Sequence, residues 1–359
     1  MTEPRAPIEI RELADPSLEP GSILLETVAS EVCGTDVHLH HGRLSGVPYP
    51  IIPGHVSVGR ILESRGVTHD ALGVPLRQGD VVTFYDVHGT CGACWHCLVA
   101  RQPNRCPHRR VYGITMSAND GPLGGWAERI YLKPGVHVLA LPEPLTADDV
   151  IGGGCGLFTG YAAVERSGLA MGASVVVQGA GPVGLGAAIF AALRGAARVM
   201  VIGAPQARLD LARAFGADDV IALTGSSSAE REAAVRDATA GRGADVVIEA
   251  SGNPDAVAEG LGLMRDGGTY VVAGHYTDTG DVSINPHRLI NRKHAEVRGQ
   301  WGTDFHHVAG ALKMAARHHD RLPLSRAIGA RFALHDANAA LDAVASLSVT
   351  KAIIVPGMA

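Results

Sequence analysis

Four cysteines fall within the sixteen residues of "CGACWHCLVARQPNRC", as Cys91, Cys94, Cys97 and Cys106. Thiolates at C-x2-C-x2-C-x8-C can wrap one tetrahedral Zn²⁺ with no position left open, which is the chemistry of a structural site. A redox-active C-x-x-C pair, plain buried thiols and an iron–sulfur cluster compete with that reading, and the repeated C-x-x-C step closed by a fourth cysteine favours zinc. The chain has six cysteines in 359 residues and no export signal, so a disulfide framework is the weaker account of them. Cys33 and Cys155 are left over, and Cys33 stands in "SEVCGTDVHLHHG" among a threonine, an aspartate and three histidines.

A second chemical signal is "GAGPVG", in which Gly179, Gly181 and Gly184 spell G-x-G-x-x-G with Pro182 and Val183 between them. It follows the β-branched run "ASVVVQ" at 173–178 and precedes an alanine-rich stretch ending near Arg194, the strand, turn and helix order that a dinucleotide site needs. The first glycine permits the tight turn, the second admits a pyrophosphate and the third lets helix and strand approach. The helix N-terminus adds free N–H groups and partial positive charge for the phosphates. An acidic residue ending the next strand would bind the ribose hydroxyl of NAD and repel a 2′-phosphate, yet that strand ends in Gly203, Ala204 and Pro205. With Arg208 nearby to meet a phosphate, or else to lie along the adenosine or in solvent, the reading leans to NADP and leaves NAD open.

These groups need a scaffold. After "GAGPVG" come apolar runs at 197–203, 218–223, 244–251 and 267–274, separated by segments of helical spacing such as "QARLDLARAFG" and "PDAVAEGLGLM". Alternating strand and helix predicts a doubly wound parallel sheet. The first 150 residues instead show short strands broken by Pro and Gly, which predicts a mostly antiparallel β domain with long loops. A helix near "HHVAGALKMAARHH" and a final strand "KAIIVP" are expected to return to that first domain. A glycine count of 45 fits many tight turns, since the glycines punctuate apolar runs without repeating.

The formal charge of −5, with Lys and Arg scattered, offers no basic stripe and argues against a nucleic-acid partner. No apolar run nears the roughly eighteen residues of a membrane span, and "MTEPRAPIEIRELADP" lacks the apolar core of a signal peptide, so a cytoplasmic protein is expected.

Taken together, "VCGTDVH", "PGHVSVG", "GDVV", the four-cysteine lobe, "GCGLFTGY", "GAGPVG" and "DVVIEASG" resemble the zinc-dependent medium-chain dehydrogenase/reductase family of alcohol, polyol and threonine dehydrogenases over nearly the whole chain. The resemblance implies an α/β protein: a GroES-like, mostly antiparallel catalytic domain over 1–155 and 298–359, and a Rossmann domain over 156–297. It implies a catalytic zinc held by Cys33, His55 and Cys155 beside the structural zinc, with Asp36 orienting His55. Thr35 would meet the substrate oxygen and His38 would pass its proton towards solvent. Thr159 would touch the nicotinamide and Lys351 the pyrophosphate. His40, His41 and the "HH" pairs at 306 and 318 are read as solvated loop residues.

Two departures stand out. Val56 follows the zinc histidine where the family usually has Glu, and the last gap of the cysteine lobe is eight residues where seven are usual. The implied activity is hydride transfer between a small alcohol, polyol or hydroxy acid, or its carbonyl form, and NAD(P), in a homodimer or homotetramer. A non-catalytic nucleotide or redox sensor that keeps the fold is the rival, and the complete set of implied ligands argues against it.

Overall fold

The computed structural model describes residues 1–358, and the chain divides into two units: 1–154 with 304–319 and 324–359, and 155–303 with 320–323. The first unit is built on one seven-stranded sheet. Its strands lie in the order Ile328–Phe332, Lys351–Ile354, Ile23–Val32, Ser57–Ser64, Val81–Phe84 and Val138–Ala140, with Arg129–Leu132 also paired to Ile23–Val32. Every pair is antiparallel except Ile328–Phe332 with Lys351–Ile354. Ile23, Leu25, Ile61, Val82, Ile130 and Leu132 form the core on one side, and Val32, Trp126, Leu341, Ala352 and Ile354 form a second cluster under helix Ala337–Ala345. Strand Ile23–Val32 is central and almost wholly buried, so its last residues are held rigidly where they run into Cys33.

The second unit is a six-stranded parallel sheet in the order Asp219–Ala222, Arg198–Gly203, Ser174–Gln178, Ala244–Glu249, Met264–Val272, Glu296–Gly299. Val175, Val176 and Val177 are all buried, as expected of a strand covered on both faces. The chain reverses its direction of winding between Ser174–Gln178 and Ala244–Glu249, and ligands bind open α/β sheets outside the strand ends at such a point.

The sixth strand and helix Ser228–Ala238 have no counterpart in the sequence reading. "EVRG" is mostly exposed and "SAEREAAVRDA" is polar, so neither carries an apolar period. The strand keeps residues up to Thr303 with the second unit, beyond the expected boundary at 298. His306 is exposed as read, but both it and the buried His307 lie in a helix and not a loop. They open helix Phe305–Arg317, and His307 is buried with its Nδ1 accepting the Asp304 N–H at 2.8 Å, a helix cap and no solvated loop. His319 lies 3.4 Å from Asp149. Among the described residues no helix is long and apolar enough to cross a membrane.

Candidate active site and metal centres

The cysteine lobe hangs from a two-stranded pair, Val87–His88 with Arg110–Val111, which closes the base of the loop that carries Cys91 to Cys106. The four sulfurs converge, with Sγ separations of 3.5 Å for Cys94–Cys97, 3.6 Å for Cys91–Cys106 and 3.9 Å for Cys94–Cys106. A tetrahedron with Zn–S bonds of about 2.3 Å has edges of about 3.8 Å, whereas a disulfide needs sulfurs about 2.05 Å apart. The lobe therefore fits a four-thiolate ion and not cystines. Burial raises the Cys106 thiol, but the N–H groups of Cys91 and His108 outweigh it and bring it down to about 6. Cys97 moves the other way, pushed up to about 12 by burial and by Cys94. One thiolate discourages the next until a cation neutralises the cluster.

The ligand atoms of Cys33, His55 and Cys155 lie within 4.8 Å of one another, so one ion with bonds of about 2.0–2.3 Å can take all three after small side-chain adjustment. Cys33, His55 and Cys155 would hold a zinc ion with three donors where the lobe offers four, and such an ion would supply Lewis acidity. Cys33 ends the central strand and is the N-cap of the short helix Gly34–His40, and His55 immediately precedes strand Ser57–Ser64. Cys155 follows Gly154, whose φ of 55° and ψ of −154° break the helical run Ala147–Ser167 in two. That break turns the chain so that the thiol leaves the helix axis, a conformation that favours glycine.

Asp36 is fully buried at the third position of helix Gly34–His40 and accepts the N–H of Cys33 at 2.9 Å and of Gly54 at 3.4 Å. One carboxylate thus ties the backbone of one donor to the residue before another. Burial raises its pKa and the adjacent His55 opposes the rise. Thr35 and His38, three apart on one helical face, are both half-buried. Burial lowers the His38 pKa, with Arg43 and His41 adding to it, so its neutral, proton-accepting form prevails at pH 7. Sequence reading missed Asp86, a carboxyl raised by desolvation and held down by His55 beside it. A lone aspartate after a strand carries no motif, and only the fold places it here.

At the nucleotide end, strand Ser174–Gln178 runs through Gly179, whose φ is 112°, into helix Pro182–Leu193 capped by Gly181. A Cβ on Gly184 would lie 1.8 Å from the Gly179 oxygen, so strand and helix touch backbone to backbone. Gly203 closes on the same loop, with its notional Cβ 2.6 Å from that of Ala180. Arg208 sits buried in the first turn of helix Gln206–Ala214, where desolvation lowers its pKa. The helical segment after Cys155 packs on the fingerprint helix: Cβ atoms at Gly156 and Gly160 would come within 2.4 Å of Pro182 and 2.3 Å of Gly186. Thr159 is one turn beyond Cys155 and half-buried. Lys351 is buried and ion-paired to Glu31 in the first unit.

Comparison with known proteins agrees with these features. Residues 19–143 match the alcohol dehydrogenase GroES-like domain and residues 182–317 the zinc-binding dehydrogenase domain. The chain is 34% identical to 5-exo-hydroxycamphor dehydrogenase of Pseudomonas putida over 93% of this chain and 92% of that one. Its fold is similar to that of an alcohol dehydrogenase from Thermotoga maritima, with a TM-score of 0.93 and 35% identity over 99% and 97% of the two chains. A zinc-binding dehydrogenase from Sinorhizobium meliloti bound to NADP gives 0.85 and 26% over 99% and 97%. The chain belongs to the zinc-dependent medium-chain dehydrogenase family, with a GroES-like and a Rossmann-like part. It is an enzyme, an alcohol oxidoreductase.

Proposed function

We propose that this enzyme interconverts a primary or secondary alcohol and its aldehyde or ketone by hydride transfer to and from NADP, with one catalytic and one structural zinc per chain. The observation that carries this reading is the continuity of Cys155 with the nucleotide fingerprint. One residue beyond that donor, Gly156 lies backbone to backbone against Pro182, so metal ligand and dinucleotide loop share one rigid block. When bound, zinc would supply Lewis acidity and nicotinamide the hydride acceptor. The chain's own groups do the rest. Asp36 fixes the backbone of Cys33 and Gly54, Thr35 would hydrogen-bond the substrate oxygen, and neutral His38 would pass the proton released there outward to solvent. Thr159, on the same helical face as Cys155, orients the ring.

The NADP preference rests on the strand end Gly203, Ala204, Pro205, which offers no carboxylate to repel a 2′-phosphate, and on Arg208 one turn on. Hydrogen bonds to charged groups contribute about 1.5–3 kcal/mol, and about 1.4 kcal/mol is tenfold in affinity. Arg208→Ala should therefore raise KM for NADP by about 10- to 100-fold and move that for NAD by less than about threefold; equal changes would remove Arg208 from the phosphate. His38→Ala should slow turnover by about 10²-fold at pH 7, at the low end for general acid–base groups, and recover in part at higher pH where solvent base takes the proton. An unchanged pH profile would take His38 out of the relay.

Substrate class is tested by a panel of primary, secondary, polyol and hydroxy-acid substrates read by nicotinamide absorbance with NAD and NADP in parallel. The Pseudomonas relative acts on a hydroxycamphor, so cyclic secondary alcohols belong in the panel. Turnover of none of these with either cofactor would defeat the reading. A homodimer or homotetramer in solution and a cytoplasmic setting complete the proposal.

A further inference from the structure

Lys351 and Glu31 stand 320 residues apart, yet their side chains are each 1% exposed and form an ion pair through Nζ and Oε1. Lys351 Nζ also donates to the carbonyl of Gly153 at 3.3 Å. A Cβ built on Gly154 would lie 2.3 Å from Glu31 Oε2 and 2.3 Å from Lys351 Nζ, so the pair is seated directly on the backbone that precedes Cys155. Glu31 reaches the other two donors through its main chain. It is two residues before Cys33, its N–H donates to the Val56 carbonyl, next to His55, at 3.0 Å, and its carbonyl accepts Trp126 Nε1 at 3.0 Å. One residue thus contacts or adjoins the chain beside Cys33, His55 and Cys155. Val56 brings no carboxylate to this neighbourhood, where Glu31 and Asp36 are both buried.

Taking two charges out of water costs more than their attraction returns unless geometry and extra hydrogen bonds compensate, so a pair this deep is poor evidence for stability alone. Its contacts converge on one feature, the spacing of three metal donors. We propose that Glu31 and Lys351 form a buried clamp that positions Cys33, His55 and Cys155 for the catalytic metal, and that Lys351 is committed to this clamp and not to the cofactor pyrophosphate. The proposal rests on the assignment of those three residues as ligands.

The test uses the purified zinc-loaded full chain, wild type against Glu31→Gln and the double variant Glu31→Gln/Lys351→Met, which leaves no unpaired buried charge if the single variant folds poorly. Zinc per chain is measured after timed exposure to a chelator, and NADPH affinity by nucleotide fluorescence. Groups that orient metal ligands typically change metal affinity by about 10- to 100-fold, so the double variant should release one of two zinc ions at least about tenfold faster. It should keep the four-cysteine zinc and bind NADPH within about twofold of wild type. Wild-type zinc retention in the double variant would overturn the clamp while leaving the ligand assignment standing. Normal zinc retention with NADPH binding weakened tenfold or more would also overturn it, returning Lys351 to the cofactor. A wild-type chain holding only the four-cysteine zinc would overturn the ligand assignment and the clamp together.

Discussion

Cys155→Ser is expected to lose the zinc proposed for Cys33, His55 and Cys155 and to lower kcat/KM by at least about 10³-fold, while the ion proposed for Cys91, Cys94, Cys97 and Cys106 stays bound. Serine keeps the size of cysteine but supplies a neutral hydroxyl where the three-donor set needs a thiolate, and a borderline-soft cation prefers sulfur. Lewis-acid polarisation contributes several kcal/mol to a reaction of this class, and each 1.36 kcal/mol is tenfold in rate. Losing about 4 kcal/mol of it gives the 10³ figure. The lobe should be indifferent, because its four sulfurs close on one another at 3.5–3.9 Å, independently of Cys155. Elemental analysis before and after dialysis, beside kinetics, checks both halves. If the variant loses both ions together, the two clusters are not separate sites; if it keeps both and its activity, Cys155 is not a ligand.

How far the sequence foretold this site depends on how rare and how local each signal is. Cysteines at fixed spacing are rare, and the four sulfurs they space come together in the fold, the eight-residue gap containing the short helical turn Pro103–Arg105 before Cys106. The fingerprint is equally local: a strand, three glycines and a helix, each needed where backbone meets backbone. Contacts made by folding alone were not legible. Nothing in "SEVC" announces that Glu31 meets Lys351, since their pairing depends on strands Ile23–Val32 and Lys351–Ile354 lying side by side. Asp86 reads as a loop acid until the fold sets it beside His55. Strand Glu296–Gly299 escaped because its exposed residues have no apolar period, and His307 because a histidine capping a helix looks the same in sequence as one in solvent. Chemistry-bearing residues are constrained one by one, whereas these partners are constrained only by the assembled backbone.

Gly184→Ala should abolish measurable cofactor binding, raising the NADPH Kd by about 100-fold or more, while the zinc proposed for the four-cysteine lobe remains. The added methyl would sit 1.8 Å from the Gly179 carbonyl oxygen and 2.8 Å from its carbon, and neither is a side chain that can turn away. Relief requires helix Pro182–Leu193 to lift from strand Ser174–Gln178 or the Gly179 turn to open. Either movement displaces the N–H groups at the helix start that would hold the pyrophosphate. Overpacking of a tight contact costs about 1–3 kcal/mol, and the upper end corresponds to about 100-fold in affinity. Cys91, Cys94, Cys97 and Cys106 belong to the other unit, so metal content of that lobe is the internal control that the chain has folded. Gly181→Ala is the companion: nothing lies within 4 Å of its notional Cβ and Gly181 has φ of −76°, so its methyl is tolerated by the protein and obstructs only an arriving phosphate. A Gly184→Ala chain with unaltered NADPH affinity and full zinc would mean that the nucleotide binds elsewhere. Weak NADPH binding in Gly181→Ala with an undiminished melting temperature would place the phosphates on this turn.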